Sequence, residues 1–473
     1  MPSVKEVFKN TSWMMISQTV LSVSGFIWTI LIARYLGVNE FGIYSFAISF
    51  ASIIGLIIDL GLTTYMIRDV SRKPELSSCY MGKIIPLRIV LSLISFIIGL
   101  IILLVMGKDR ITILVSLFFI IESIVMVMGV LYQGEFQAFG KVKYQTGGTV
   151  INTVVLLTCI IATIYFDLGI IFVAISYIMG YSAMLIYLVI KGIQHISTPK
   201  LSIDFDFWKK SIKISLPFAL TTVFTILYYS IDTVMLSLIV GDAATGVYNA
   251  AYKIITVLTT FFSVYQNVVF PLMSKMFTDS KEMLKKSFVK SIKYLSLIII
   301  PISFGIMVYS NQIITLFFGE GYILSGDVMK ILVWTVCWLF INGAATTLLN
   351  SSNKELLVTK IYSIAVVVNI ILNATLIPFY SYNGAAFTTV ISEIVICILM
   401  FYYIKKTPYT PNISILKDIF KIIVAGIVMF GVLQFVDNMW IGLFVGAGVY
   451  SAVVLALRTL DDDDKYLIKE IIH

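Results

Sequence analysis

The sequence predicts an all-α polytopic membrane protein with fourteen transmembrane helices. Three observations lead to this fold class: fourteen long apolar segments, basic residues concentrated on every second connection, and an internal repeat. The composition agrees, because 59% of the 473 residues are hydrophobic and only 13% are charged. A soluble domain of this composition would expose far too much apolar surface, so the lipid bilayer is the expected solvent.

Each apolar segment is long enough to cross the bilayer as a helix. A helix needs about 20 mostly apolar residues to span roughly 30 Å of hydrocarbon. The segments are predicted at residues 11–34, 41–66, 84–106, 111–133, 146–166, 169–190, 213–239, 246–272, 292–317, 329–349, 358–379, 384–404, 415–436 and 439–459.

The basic residues give the orientation of the chain, because positive charges accumulate on the cytoplasmic side of a membrane protein. All but five of the 34 Lys and Arg residues lie on the same side of the membrane as the N-terminus, in the connections there or at the adjoining ends of the segments. The exceptions are Arg34, Lys108, Arg110, Lys253 and Lys330. We therefore expect a protein of the cytoplasmic membrane with both termini cytoplasmic. The net charge of +8 is attributed to loops that meet anionic headgroups, and no nucleic-acid partner is expected.

The sequence carries no constellation that indicates catalysis. The four cysteines have no paired spacing, and His195 and His473 are the only histidines, so neither a zinc site nor a histidine-based triad is expected. A Gly-rich phosphate loop of an ATP-driven pump is also missing from the sequence. The longest outward connection, about 309–328, is too short for the catalytic domain of a sugar polymerase. The chain is predicted not to be an enzyme and to need no cofactor or metal, with proton or sodium gradients as candidate sources of energy.

An internal repeat organises the chain. Residues 37–44 and 241–248 both read G-x4-G-x-Y, 204 residues apart, and Asn152 and Asn369 belong to a series of later matches in the same order. The repeat unit has six helices, an even number, so both copies enter the membrane in the same orientation and are related by an axis along its normal. The predicted organisation is a six-helix lobe at 1–195, a second at 205–406, helices thirteen and fourteen at 412–460, and a charged cytoplasmic tail at 461–473.

Polar side chains form stripes along four of the predicted helices. In segment two they recur at spacings that keep them on one face of a helix. Segment eight repeats this pattern 204 residues further along the chain. The stripe residues are Ser45, Ser49, Ser52, Asp59 and Thr63; Asn249, Lys253, Thr256, Thr260, Ser263 and Asn267; Gln18, Ser22, Gly25 and Thr29; Thr222, Thr225, Tyr229 and Asp232. Close helix packing is the alternative explanation for the small residues, but it explains Lys253 and the aspartates poorly.

Ionisable residues within the segments are candidate site residues, because a charge at midplane costs at least about 2.5–3.5 kcal/mol and usually faces a wet cavity or a partner. Several bases without catalytic residues suit an anionic ligand, and diphosphate is the obvious one. For the arginines, snorkelling to headgroups is an equally good explanation. The candidate ligand-binding residues are Lys253, Arg34, Arg68, Arg88, Gln18, Asn249, Asn267 and Tyr229. The candidates for ion coupling are Asp59, Asp232, Glu122 and Glu393, of which the two glutamates could instead pair with bases.

Short motifs along the whole chain carry a resemblance to a known family. They are Ala33–Gly37 with Glu40, Gly42 and Tyr44; Asp59–Leu62 and Ile67–Asp69; Leu216–Pro217; Asp232, Gly241, Gly246, Tyr248, Ala250, Ala251 and Lys253; and Asn369, Asn373, Pro378 and Gly384–Ala386. In these motifs the chain resembles the Wzx-type lipid-linked oligosaccharide flippases of the polysaccharide transporter family. That family belongs to the multidrug/oligosaccharidyl-lipid/polysaccharide exporter superfamily.

The resemblance implies a fold of two lobes and a cationic central cavity for a glycan-diphosphate head, with Lys253 as a cavity base. It leaves the polyprenyl tail in lipid, along helices thirteen and fourteen. The implied function is translocation of a lipid-linked anionic oligosaccharide by alternating access, for surface polysaccharide or glycoprotein assembly. Glycosyltransferases or a polymerase of the same pathway are the implied partners, besides membrane lipid.

Two alternatives within the superfamily remain open. One is a multidrug/cation antiporter, although such proteins usually have twelve helices and bind cations through acidic residues, which fourteen helices and Lys253 do not match. The other is a peptidoglycan-precursor flippase. A membrane-embedded glycosyltransferase or polymerase is disfavoured by the short outward connections.

Overall fold

The computed structural model describes residues 4–460 and Asp464, and the side chains from Ser12 onward apart from Thr221 and Val264. Within these residues the chain is helical and contains no strand. Short 3-10 turns lie at Pro74–Leu76 and Glu320–Tyr322. The α-helices are α1 (Val4–Asp59), α2 (Leu62–Arg72), α3 (Ser77–Val105), α4 (Arg110–Ala138), α5 (Val142–Tyr165), α6 (Ile170–His195), α7 (Phe205–Ile239), α8 (Asp242–Asp279), α9 (Lys281–Phe318), α10 (Leu324–Ser351), α11 (Glu355–Ile404), α12 (Ser414–Leu433) and α13 (Met439–Ala456).

The described helices account for fourteen crossings of a membrane. Eleven helical stretches are long and apolar enough to span one. Two of them, of 48 and 50 residues, are interrupted by a non-helical residue, Gly37 (φ 70°) in α1 and Ser381 (φ 53°) in α11, so each provides two crossings. The 20-residue helix α12, which carries Lys417, Asp418 and Lys421, is not among these eleven stretches, and counting it gives the predicted fourteen. The predicted fold class, an all-α polytopic membrane protein, is confirmed.

Two predicted boundaries differ from the structure. The segment predicted at 41–66 breaks at Leu60 and Gly61, which have φ of 43° and 76°. Gly61 is needed there because a Cβ would come within 2.6 Å of the Ser215 carbonyl oxygen on α7. The outward loop predicted at 309–328 is also wrong, because α9 kinks at Tyr309 but remains helical to Phe318.

The internal repeat extends to the conformation of the backbone. Residues with positive φ end helices at matching places in the two copies, and their separations increase along the chain from 204 to 214 residues. Most are glycines, which adopt this conformation at little cost. The matching pairs are Gly37 and Gly241, Gly107 and Gly319, Gly140 and Asn353, and Asp167 and Ser381.

The second glycine of the repeated G-x4-G-x-Y motif lies at a close helix crossing. A Cβ on Gly42 would overlap the backbone carbonyl of Asp242, and a Cβ on Gly246 would overlap that of Val38. Both pairs are related by the same 204-residue offset, so the contact between α1 and the start of α8 is nearly symmetric. Small residues let helix backbones approach closely within a membrane, which explains the glycines of the motif.

The chain divides into two compact units, residues 1–249 and 250–473. The core of the first unit includes Leu62, Met81 and Phe136, and a cluster in the second includes Met429 and Tyr450. Large apolar side chains also cover outer helix faces: on α3, Leu93 is 62% and Leu104 is 60% exposed. In a membrane these faces contact lipid.

Candidate functional site

A buried ion pair lies in the first unit. The Arg88 guanidinium, on α3, is 0% exposed and donates through Nη2 to Asp59 Oδ1 at the end of α1. Its Nη2 also donates to Thr63 Oγ1 at 2.5 Å, and its Nη1 donates to the Val127 carbonyl oxygen at 2.5 Å. Thr63 Oγ1 in turn donates to Asp59 at 2.6 Å. Arg88 therefore does not snorkel, and the fold brings together a predicted ligand-binding base and a predicted coupling carboxylate.

The other two predicted arginines lie closer to the surface. Arg68, on α2, donates through Nε to Asp69 Oδ1 at 2.8 Å, and its side chain is 37% exposed. Its guanidinium lies over the rings of Tyr65 and Phe218 at 5.4 and 5.6 Å. Arg34 is exposed on α1. Both side chains remain accessible to an anion, in contrast to Arg88.

Where α7 meets the start of α8, a second polar cluster forms. Tyr248 donates its hydroxyl to Asp232 Oδ2 at 3.1 Å, and Asp232 is only 4% exposed. Asn249 accepts from Thr233 Oγ1 at 3.2 Å and donates to the Thr245 carbonyl at 2.9 Å. Asp232 and Asn249 are thus tied into the packing of the two helices, whereas Tyr229 is 48% exposed.

Glu122 is buried in α4 without a base. It is 8% exposed, and its hydrogen bond from Ser123 Oγ is long, at 3.4 Å. Among the residues that the structure describes, no Lys or Arg forms an ion pair with it. Nearby on α1 and α6, the hydroxyls of Tyr44 and Tyr177 lie 2.5 Å apart. Tyr44 is the tyrosine of the repeated motif, so the motif itself is the sequence signal for this cluster.

Gln18 lies at a polar cavity that the sequence reasoning missed. This cavity, about 290 Å³ in volume, is lined by residues of α1, α4, α5 and α6, and we call it the amide cavity after Gln18, Gln133, Gln145 and Asn152. A detectable signal existed, because Gln145, Thr149 and Asn152 are spaced four and three residues apart along α5. The stripe criterion was applied to four other segments only.

Lys253 lies on α8, close to the start of the second unit. Its side chain is partly exposed, and within the described part of this unit it has no hydrogen bond or ion pair. The residues one turn before and after it on the same face, Asn249 and Thr256, carry no charge. Asn267, on the same stripe, is exposed. The stripe thus presents an ammonium group that has no counter-ion among the described residues of its own unit.

Glu393 is fixed between α10 and α11. Its Oε2 accepts from Asn342 Nδ2 at 2.7 Å, and the same Nδ2 lies 2.9 Å from the Glu393 carbonyl oxygen. Glu393 is 3% exposed. The Glu393 carboxylate thus accepts a hydrogen bond from an amide, whereas the Asp59 carboxylate accepts from the guanidinium of Arg88.

An apolar cavity of about 580 Å³ lies on the second unit. It is formed by α9, α12 and α13, the last two being predicted helices thirteen and fourteen. Among its lining residues there is no Asp, Glu, Lys or Arg. Its larger lining side chains are Leu297, Ile306, Tyr309, Met429, Trp440 and Tyr450.

The start of α7 is stabilised by a helix cap and an ion pair. Asp204 caps α7 by accepting from the Phe207 amide at 2.9 Å, and it forms an ion pair with Lys83 Nζ at 2.8 Å. The Lys83 ammonium, followed by the Phe207 amide, lowers the pKa of Asp204 below its usual value. No cluster of metal-ligating side chains is present in the described ranges.

The fold is that of a multi-span helical membrane protein. A solved structure of the lipid II flippase MurJ, in an inward closed conformation, superposes with a TM-score of 0.79 at 16% identity, over 95% of this chain and 99% of MurJ. Residues 7–277 match the family described as "Polysaccharide biosynthesis protein", and residues 217–375 match the MatE family. The chain belongs to the polysaccharide biosynthesis protein family.

Relatives by sequence carry related names. The probable low-salt glycan biosynthesis flippase Agl15 of Haloferax volcanii is 26% identical over 249 residues, which cover 49% of this chain and 51% of Agl15. A putative O-antigen transporter of Shigella dysenteriae is 24% identical over 196 residues, covering 41% of this chain and 49% of the transporter. The chain thus matches about half the length of these relatives. The predicted family is confirmed.

Proposed function

We propose that this protein is a flippase that moves a polyprenyl-diphosphate-linked oligosaccharide across the cytoplasmic membrane by alternating access. The observation that carries the proposal is Lys253, a base at membrane depth for which the described residues of its own unit supply no counter-ion. A charge held in this way is costly unless it faces water or a ligand, and an ammonium group neutralises phosphate well. Membership of a polysaccharide biosynthesis family supports the same ligand class.

The diphosphate head would bind through bases that are accessible rather than already paired. Lys253 meets this description, and Arg68 does so in part because its Nε is engaged with Asp69. Arg34 is exposed and is a further candidate. Arg88 would act only indirectly, since its guanidinium is held by Asp59 and a backbone carbonyl. Gln18, Asn249, Asn267 and Tyr229 would contribute polar contacts to the glycan.

The apolar cavity suits the isoprenoid chain of such a lipid. It is large enough for several isoprene units, and aliphatic and aromatic side chains dominate its lining. Its position on α9, α12 and α13 agrees with the expectation that the tail runs along helices thirteen and fourteen. The lipid would therefore be held at both ends, by bases at its head and by this apolar surface along its tail.

Ion coupling would use a carboxylate that can exchange a proton. Asp59 is a poor candidate, because the adjacent guanidinium of Arg88 stabilises its charged form. Glu122 is the better one, because it is buried and has no basic partner among the described residues. Asp232 and Glu393, which accept from a tyrosine and an asparagine, remain candidates.

The proposal places both termini in the cytoplasm and makes the protein a transporter rather than an enzyme. Movement would be from the cytoplasmic to the outer face, for assembly of surface polysaccharide or glycoprotein. Glycosyltransferases that complete the glycan before translocation, and a polymerase that uses it afterwards, would be the functional partners.

The test is reconstitution of the purified full-length protein in proteoliposomes. We expect it to expose a fluorescent polyprenyl-diphosphate oligosaccharide to a membrane-impermeant quencher faster than protein-free vesicles do. The match of residues 217–375 to the MatE family makes a cation antiporter the alternative. Proton- or sodium-driven uptake of ethidium, without movement of the lipid, would favour the antiporter and contradict the flippase.

A further inference from the structure

The amide cavity in the first unit has polar atoms that the fold leaves unsatisfied. Asn152 is only 1% exposed, yet its Oδ1 has no hydrogen-bond partner, and neither does the buried Oε1 of Gln145. Buried polar atoms are nearly always hydrogen-bonded, because an unsatisfied one costs its full desolvation free energy. Asn152 Oδ1 lies against Gly180 of α6, so the unpaired Oε1 of Gln145 is the acceptor that indicates a hydroxylated occupant of the cavity.

The other side of the cavity offers further hydrogen-bonding groups. Gln133 on α4 donates through Nε2 only to the Met184 sulfur, at 3.4 Å, which is a weak acceptor. Gln18 on α1 is exposed and lines the same space. Ser17 donates to Thr149 Oγ1 at 3.0 Å and so fixes α1 against α5 without using any of the amides. Four carboxamides on three helices thus line the cavity, and those of Gln133 and Gln145 have hydrogen-bonding capacity left unused.

The cavity lining carries no ionised side chain. Among its described residues there is no Asp, Glu, Lys or Arg, and Glu122 lies one helical turn before the lining residue Met126 without lining the cavity itself. Hard metal cations are usually bound with carboxylate oxygens, which this lining does not provide. The electrostatics therefore favour a neutral occupant over a cation or a phosphate.

Amides combined with apolar side chains match the two surfaces of a sugar ring. A carboxamide both donates and accepts, as a sugar hydroxyl does. Met126, Met184 and Leu21 supply apolar surface for the C–H face of the ring, and the Tyr181 ring lines the same space. The volume of about 290 Å³ lies near the lower end of the range for ligand pockets, about 300–1,000 Å³, and so suits one ring rather than a chain.

We propose that the amide cavity binds one neutral, hydroxyl-rich sugar ring of the transported glycan. The inference rests on the proposed function and extends it, because it separates recognition of the sugar from recognition of the diphosphate. The cavity would select among glycans by the positions of their hydroxyl groups, whereas the bases would accept any polyprenyl diphosphate.

The test compares two probes in proteoliposomes that contain the full-length protein. One is polyprenyl diphosphate carrying a single hexose or N-acetylhexosamine, and the other is the same lipid without a sugar. Gln133→Met and Gln145→Met remove an amide with little change of shape. Gln137→Met is the matched control, since Gln137 lies one turn further along α4 and is exposed outside the cavity.

We expect each cavity variant to slow movement of the sugar-bearing lipid about tenfold, the effect of losing one well-formed hydrogen bond, and to leave the bare lipid unaffected. The control should move both probes at the wild-type rate. Equal losses for both probes would indicate a structural role and overturn the proposal, as would an unchanged rate for the sugar-bearing lipid. A wild-type protein that moves neither probe would instead contradict the proposed function.

Direct binding gives a second, independent readout. Saturation-transfer NMR on the detergent-solubilised protein would use the methyl glycosides of glucose, galactose and N-acetylglucosamine as probes. We expect saturable binding of at least one glycoside, which Gln145→Met abolishes and Gln137→Met preserves. No glycoside binding, or binding that survives Gln145→Met, would overturn the proposal. Sodium-ion binding lost in the same variants would assign the cavity to a cation instead.

Discussion

The guanidinium of Arg88 and the carboxylate of Asp59 form an ion pair in which the arginine is fully buried and the aspartate side chain is 32% exposed. This asymmetry predicts unequal effects of breaking the pair. Asp59→Leu leaves a buried charge without a partner and should lower the free energy of unfolding by about 3–5 kcal/mol. Arg88→Met leaves a carboxylate that reaches water and keeps its bond from Thr63, so it should cost less.

The double variant Arg88→Met/Asp59→Leu distinguishes pairing from simple packing. Replacing both partners by apolar side chains of similar volume is often nearly neutral. We therefore expect it to be more stable than Asp59→Leu alone when unfolding in detergent is followed by circular dichroism. Additive losses in the double variant would show that the two side chains act separately.

The close approach at Gly42 and Gly246 predicts a strong effect of a single methyl group. Gly42→Ala and Gly246→Ala each place a Cβ onto a backbone carbonyl, so the helices must separate. We expect a loss of about 1–3 kcal/mol for each, measured by thermal unfolding. Gly305→Ala is the control, because a Cβ there meets no atom within 4 Å, and it should be neutral or slightly stabilising. Similar stability of all three variants would contradict the crossing.

The pair of Asp204 and Lys83 predicts a stability that depends on acid pH. The pKa of Asp204 is lowered in the folded state by the Lys83 ammonium and then by the Phe207 amide. A depressed carboxyl pKa contributes stability above the unfolded value, about 3.9, and this contribution is lost as the pH falls through the folded pKa. The wild type should therefore lose stability below about pH 4 faster than Asp204→Asn does.

Trp208 reports on this region, because its indole Nε1 donates to the Lys83 carbonyl at 2.9 Å and the ring is buried. Its fluorescence during thermal unfolding, measured from pH 2 to pH 6 in a background where the other five tryptophans are replaced by phenylalanine, gives the comparison. Identical pH profiles for the wild type and Asp204→Asn would show that the pair contributes no pH-dependent stability.

Much of the fold was predictable from the sequence, since crossings and repeats depend on local composition. Gly37 and Gly241 were found as a repeated motif, and the structure gives both a positive φ. The break at Leu60 was not predictable, because it depends on the approach of α7 to Gly61. A helix-by-helix pattern carries no information about which residue of a distant helix comes near.

The candidate site was predictable only in part, for the same reason. The stripe criterion selected Lys253 and Asp59 from one helix at a time. It could not reveal that Arg88 joins Asp59, because the two lie 29 residues apart on different helices. The amide cavity draws Gln133 and Gln145 from separate helices and was missed, although the spacing along α5 was visible.

The role of Lys253 in binding the diphosphate is the central claim, and one measurement tests it most directly. Initial rates of polyprenyl-diphosphate oligosaccharide movement would be compared in proteoliposomes for the wild type, Lys253→Ala, Lys253→Arg and Lys330→Ala. Lys330 is the matched control, because it is a segment lysine already paired with Asp327 at 2.7 Å. Loss of a charge-assisted bond to phosphate should reduce the rate about tenfold to a hundredfold in Lys253→Ala. Lys253→Arg should retain much of the activity and Lys330→Ala all of it, whereas a wild-type rate in a well-folded Lys253→Ala protein would contradict the account.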